Sequence, residues 1–234
     1  MTAQDVITSL EAHRSEAGLA TIRKRLAPAE PAIGLRMGDL FAIAKEHAGL
    51  PLGEVQQLLN HPAYEPRLAG FCILDFKARR KLDGPQREEL YRCYLDNHHR
   101  ITTWDMVDRA APRVIGGFLA GGPLEPLRQL AVSSEPLRRR TAITAPLFFV
   151  RSGSDEDLAG SLRIAAMLAQ DPEPVVHNAV GLFLKHATGR VPAGVRALLE
   201  ERAALMPRPG LRLAVEKLDP TERKYFLDAH RRLR

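Results

Sequence analysis

The stretch Leu68-Ala69-Gly70-Phe71-Cys72-Ile73-Leu74-Asp75-Phe76, closed by the break Asp83-Gly84-Pro85, decides the fold. Leu68, Phe71, Cys72 and Phe76 return every three or four residues, the period of one face of an α-helix. Past the break the same period resumes at Leu90, Cys93, Tyr94 and, one turn on, Asn97. Leu40, Ile43, Ala44 and Ala48 show it upstream. Downstream it recurs at Leu147, Phe148 and Val150, at Leu162, Ala165, Ala166 and Ala169, and at Val176, Val180, Phe183 and Leu184. Further breaks fall at Gly49-Leu50-Pro51, His61-Pro62, Gly121-Gly122-Pro123, Ser152-Gly153-Ser154, Asp171-Pro172-Glu173-Pro174 and Pro207-Arg208-Pro209-Gly210. Alternating β-branched runs do not occur, so no sheet is expected.

One helix pair fits between breaks about every 35–40 residues, the length of a helical repeat. The units share little sequence. The expectation is a degenerate all-α, HEAT-like solenoid spanning 1–234 as one domain. Helix pairs in such an array bury a shared core and curve to expose a concave groove, here a basic one.

Composition bounds what such a scaffold does. A chain of 234 residues, 45% of them hydrophobic, can bury a sizeable core. Cys72 and Cys93 sit inside helical patterns, which points to buried thiols in a reducing compartment rather than a disulfide framework or metal site. His98-His99 lack a third ligand at sensible spacing, so neither metal nor cofactor is expected. No apolar stretch approaches the roughly 20 residues that span a bilayer. The opening residues also lack a signal-peptide layout. A cytoplasmic, soluble monomer is expected.

The formal net charge of +6 favours a polyanionic partner, with nucleic acid foremost. Arginines cluster at Arg79-Arg80-Lys81, Arg138-Arg139-Arg140 and Arg231-Arg232. The last reads as a solvated tail. Arg138 to Arg140 open a helix, where positive charge opposes the macrodipole, and accepting that cost hints at use.

The chemistry concentrates in Ile101-Thr102-Thr103-Trp104-Asp105-Met106-Val107-Asp108, which holds the only tryptophan. Trp104 and Asp108, four residues apart, share a helix face. A π surface beside a carboxylate suits a positively charged, flat or sugar-like group. Spacing alone leaves open the plainer alternative of a core tryptophan and a solvated acid. Asp105 reads as a cap-region acid, and Tyr64 and Tyr94 as half-buried packing residues. His61 reads as a turn residue, and His177, His186 and His230 as exposed helix positions. Glu65 and Arg67 pair or support the neighbouring repeat, while Lys45 and Lys185 face either phosphate or solvent.

Thr103-Trp104-Asp105-Met106-Val107-Asp108 resembles the central Trp-Asp-x-Val-Asp motif of the bacterial DNA alkylation repair glycosylases, the AlkD-like family. Similarity continues to Gly116 and recurs in order elsewhere: Gly34-Leu35-Arg36-Met37 through Ala44-Lys45, His61-Pro62 through Glu65 and Arg67, Arg139-Arg140-x-Ala142, Lys185, and Leu211 through Leu218. The resemblance implies a HEAT-like solenoid that hydrolyses the N-glycosidic bond of cationic N3- or N7-alkylated purines in duplex DNA, without flipping the lesion into a protein cavity. It implies catalytic roles for Asp108 and Trp104. Arg140, with Arg139, Lys45, Lys185 and Arg36, is implied to bind DNA. Two departures stand out: Leu137 and Leu182 occupy places where the family often carries aromatics, which bears on substrate range. A second function class is a non-catalytic DNA-binding descendant that kept the scaffold. Against it, a pure binder has no need of a carboxylate facing phosphates.

Overall fold

The computed structural model describes residues 1–229; His230 and the Arg231-Arg232 pair lie outside them. Among the described residues there are helices and no strands. The chain divides into two compact units, Met1–Phe118 and Leu119–Arg234.

The first unit comprises α1 (Ala3–Ala12), α2 (Glu16–Arg23), α3 (Met37–Glu46), α4 (Leu52–Asn60), α5 (Tyr64–Ala78), α6 (Gly84–Asp96), a 3-10 turn at His98–Arg100 and α7 (Trp104–Ala111). A π-helical turn, Pro112–Gly116, then leads into α8 (Gly117–Leu119). The expected breaks punctuate these helices for identifiable reasons. Asp83 caps α6 by accepting from the Gln86 N–H at 2.8 Å, with Gly84 and Pro85 in the first helical turn. Pro112 has no N–H to bond the carbonyl one turn back, and the chain there widens into the π turn.

Helix α5 is the hub of this unit, packing against α1, α3, α4, α6 and α7. Its sequence suggests one apolar face, yet it is buried on every side from Tyr64 to Asp75. Glu65 is only 2% exposed, and its carboxylate accepts the N–H groups of Ile33 and Gly34 at 2.8 Å each. Those are buried donors of the loop before α3, where Gly34 adopts φ +85°, a conformation that favours glycine. Arg67 ion-pairs with Glu30 and donates to the Pro62 carbonyl at 2.6 Å. The expected supporting role of these two residues is therefore concrete: each ties α5 to a loop.

The second unit comprises α9 (Glu125–Ala131), α10 (Pro136–Thr144), α11 (Leu147–Ser152), α12 (Asp155–Leu168), α13 (Pro174–Ala187), α14 (Pro192–Arg202), α15 (Arg208–Ala214) and α16 (Pro220–Leu227). Successive helices pair, with α9 against α10 and α12 against α13. They also stack in rows: α10 on α13 on α15, and α9 on α12 on α14. That pairing is the helical-repeat pattern predicted from the breaks. Helices α13 and α15 cross at two glycines. A Cβ on Gly181 would stand 2.3 Å from the Gly210 carbonyl oxygen, and one on Gly210 2.5 Å from that of His177, so backbone meets backbone.

Two local expectations are corrected. Around α11 the deeply buried residue is Phe149, while Leu147, Phe148 and Val150 are half-buried. On α12 the buried stripe runs through Leu158, Ile164, Ala165, Leu168 and Ala169, rotated from the predicted Leu162 and Ala166. The Pro207 to Gly210 break falls between α14 and α15 as expected, with Pro207 the N-cap and Gly210 already inside α15.

Candidate functional site

Helix α7 starts at Trp104, with Thr103 as its N-cap residue in extended conformation. The Thr103 hydroxyl makes no cap bond to the backbone and donates instead to Asp105 Oδ1 at 2.5 Å. Met106, Val107, Ala110 and Ala111 face the core. That register leaves Trp104 and Asp108 together on the other side, one turn apart. Trp104 is 44% exposed, so its ring is not the core anchor of the plainer reading. Asp108 is half-buried, as the fifth residue of α7. It lies past the first turn, where the macrodipole acts most strongly; that influence falls on Asp105.

Asp105 is held through both carboxylate oxygens. Its Oδ2 accepts from the Tyr64 hydroxyl at 2.6 Å and from Arg25 at 3.2 Å. The Tyr64 ring is fully buried, not half-buried as expected, and burial together with the Asp105 charge raises its phenol far above the ordinary value. The hydroxyl is therefore a fixed donor at physiological pH. A cleft of 560 Å³ opens beside this network, with Arg25, Arg36 and Tyr64 among its walls. Arg36, the N-cap residue of α3, and Lys45, in the last turn of that helix, are both exposed.

Sequence reading misses a second cluster on α7. Asp75 of α5 is fully buried and receives Arg79 at 2.6 Å, Arg113 at 3.1 Å and Arg109 at 3.4 Å. Arg109 immediately follows Asp108 in sequence, and its guanidinium lies over the rings of Phe41 (4.5 Å) and Phe76 (4.8 Å). Nearby Cys72 is a free thiol whose pKa burial pushes up to about 12, leaving it unreactive as a thiolate. The only advance signal is the cluster Arg79-Arg80-Lys81, which identifies the end of α5 but not its buried counterion.

In the second unit the arginine run of α10 is engaged with protein groups. Arg138 pairs with Glu135 at 3.3 Å. Arg139 grips Asp171 through two bonds of 2.6 and 3.0 Å and donates to the carbonyls of Ser133 and Ser134. Arg140, 5% exposed, donates to the Val175 carbonyl of α13. The bonds of Arg139 to Asp171 and of Arg140 to Val175 tie α10 to the start of α13. Lys185 on α13 pairs with Glu216 at 2.6 Å. Leu182, on the same helix, is half-buried beside fully buried Phe183.

His98 is buried edge-on against Tyr94 at 5.8 Å. Among the described residues no group of three or more His, Cys, Asp or Glu side chains is placed to hold a metal ion. No described helix is long and apolar enough to cross a membrane.

A family model described as DNA alkylation repair enzyme matches residues 6–218. The chain belongs to the DNA alkylation repair enzyme family. The match takes in both units, all of α7, and the arginine pair of α10. A search of curated proteins finds no match. Membership gives this DNA alkylation repair protein a role in mending alkylated DNA.

Proposed function

We propose that the protein is a DNA glycosylase that hydrolyses the N-glycosidic bond of cationic N3- or N7-alkylated purines in duplex DNA. The observation that carries this reading is the pairing of a 44%-exposed Trp104 with Asp108 one turn along α7, in a family that repairs alkylated DNA.

Alkylation at N3 or N7 gives the purine a positive charge, so the base departs with the electron pair of its bond to C1′ and leaves neutral. Positive charge then builds on the deoxyribose, as in other oxocarbenium-like glycoside hydrolyses. The Asp108 carboxylate stabilises that charge and orients a water whose oxygen bonds to C1′. The water's proton passes to the carboxylate or to solvent, and an abasic site remains. Trp104 offers a ring face to the sugar or cationic base, worth about 1–2 kcal/mol where water is excluded. Arg36, Lys45, Arg139, Arg140 and Lys185 contribute to DNA affinity, Arg140 through a phosphate contact made alongside its bond to Val175. The Tyr64–Asp105 bond supports this scheme by fixing the turn from which Trp104 projects. Leu137 and Leu182, shorter than the aromatics the family often places there, leave room for adducts larger than methyl.

The test is base release under single-turnover conditions from duplex DNA carrying an N7-methylated guanine, against spontaneous loss from the same DNA without protein. Release well above that background is expected. Tight binding with no release would replace this reading with the non-catalytic DNA-binding protein.

A further inference from the structure

The cluster on Asp75 holds more charge than its acid cancels: three guanidiniums meet one buried carboxylate, a formal excess of two positive charges. One arginine suffices to compensate a buried aspartate, and each addition brings like-charge repulsion. Arg79 has a partial structural account, because it caps the C-terminal end of α5, where the dipole favours cations. Arg113 has none, since it sits in the π-helical turn after α7. Crowding of positive charge is visible close by, where burial and then Arg80 hold the Lys77 ammonium below its ordinary pKa.

Aromatic rings back the arrangement as well. Arg109 lies over the rings of Phe41 and Phe76, and Arg79 lies 4.8 Å over Phe76. Arg113 gives Asp75 a single bond, from Nη1, so part of its donor fork is left unspent on the carboxylate. The side chains of Arg79 and Arg113 are 39% and 34% exposed, which puts those donors within reach of a solvent-borne anion. A guanidinium fork matches tetrahedral oxyanions, and forks already fixed by a buried acid and two rings lose little freedom on binding.

We propose that Arg79, Arg109 and Arg113 form a preassembled seat for a backbone phosphate of duplex DNA, around the buried Asp75 carboxylate. This rests on the reading of duplex DNA as the partner. Asp75 positions the three arginines, and the ligand contacts are theirs.

The experiment titrates undamaged duplex DNA against the full chain over a range of salt concentrations. It compares wild type with Arg113→Gln, with the Arg79→Gln/Arg113→Gln double variant, and with Arg92→Gln. Arg109 is left in place to keep Asp75 paired. Arg92→Gln removes one charge, as Arg113→Gln does, from an exposed pair with Glu88 on α6 and serves as the control. The double variant should flatten the slope of log K against log salt by about 0.9, one phosphate's worth, and bind several-fold more weakly at low salt. Arg92→Gln should leave the slope unchanged. Should thermal unfolding show the double variant to be misfolded, Arg113→Gln carries the comparison, since it removes only one bond to Asp75. An unaltered slope in a folded variant overturns the seat while the DNA reading stands. A wild type that does not bind DNA in a salt-dependent way overturns both.

Discussion

The Tyr64 hydroxyl, at the first residue of α5, donates a 2.6 Å hydrogen bond to the Asp105 carboxylate in the first turn of α7. Neither residue is given a chemical role in the proposed reaction. Together they fix the turn that carries Trp104. Tyr64→Phe keeps the buried ring and deletes only the donor. It should cost about 1.5–3 kcal/mol of stability, the usual range for a hydrogen bond to a charged group. It should also slow base release by more than it weakens DNA binding. Denaturant midpoints alongside single-turnover rates test this; a variant as stable and as fast as wild type would show the bond to be idle.

Asp108→Asn preserves size and hydrogen-bonding capacity while removing charge. Folding and DNA affinity should persist, and affinity should rise slightly because a carboxylate near phosphates is repulsive. Base release should fall by roughly 10²–10³-fold, the loss typical of one preorganised electrostatic group. The assay must subtract spontaneous loss of the cationic base. Rates equal to wild type would remove Asp108 from the mechanism.

Glu65 satisfies two buried N–H groups, and that makes a graded prediction. Glu65→Ala strands both donors of the Ile33-Gly34 loop and should destabilise the protein by about 3 kcal/mol or more. Glu65→Gln keeps one acceptor oxygen and should cost distinctly less. Chemical denaturation of the two variants measures the difference, and equal losses would refute the two-bond account.

Stability should also decline on mild acidification. Burial and the neighbouring Arg67 hold the His61 imidazole below its ordinary pKa, and Nδ1 already accepts the Ala63 N–H at 3.0 Å. Burial, Lys217 and Lys185 lower His186 in the same sense. A histidine depressed in the folded state is neutral in both states at high pH and contributes nothing there. As pH falls below about 6.5, the unfolded chain takes up protons that the folded chain resists, and stability drops. Thermal unfolding followed from about pH 8 to 5.5 should show the decline, and the His61→Gln/His186→Gln double variant should flatten it. A decline of unchanged steepness would place its origin elsewhere.

The fold is legible where helical period and break agree. Val176, Val180, Phe183 and Leu184 are all buried as their spacing predicts, and Asp83-Gly84-Pro85 begins α6 as a break should. Legibility fails where burial is decided by partners remote in sequence. Nothing within α5 announces that Glu65, Arg67 and Asp75 are interior, because partners that hold them lie in the Ile33-Gly34 loop, at Glu30, and on α7 and the turn after it. The face of α11 is misplaced because Leu147-Phe148-Phe149-Val150 is apolar throughout, and so continuous a run has no period to read. At the candidate site, the motif places Trp104 and Asp108 on one side of a helix, and the register of α7 agrees. Asp105 reads as a local cap-region acid because its tyrosine partner lies 41 residues away in sequence.

The Gly181–Gly210 crossing carries a consequence for how this sequence can change. The contact joins two main chains, so no neighbouring side chain can shrink to accommodate a new Cβ. Neither glycine has a companion position whose substitution would restore the spacing. In a saturation mutagenesis library both sites should tolerate almost nothing, and second-site suppressors within α13 and α15 should be absent. A covariation search would therefore pass over one of the tightest constraints in the molecule, since an invariant pair leaves no correlated record.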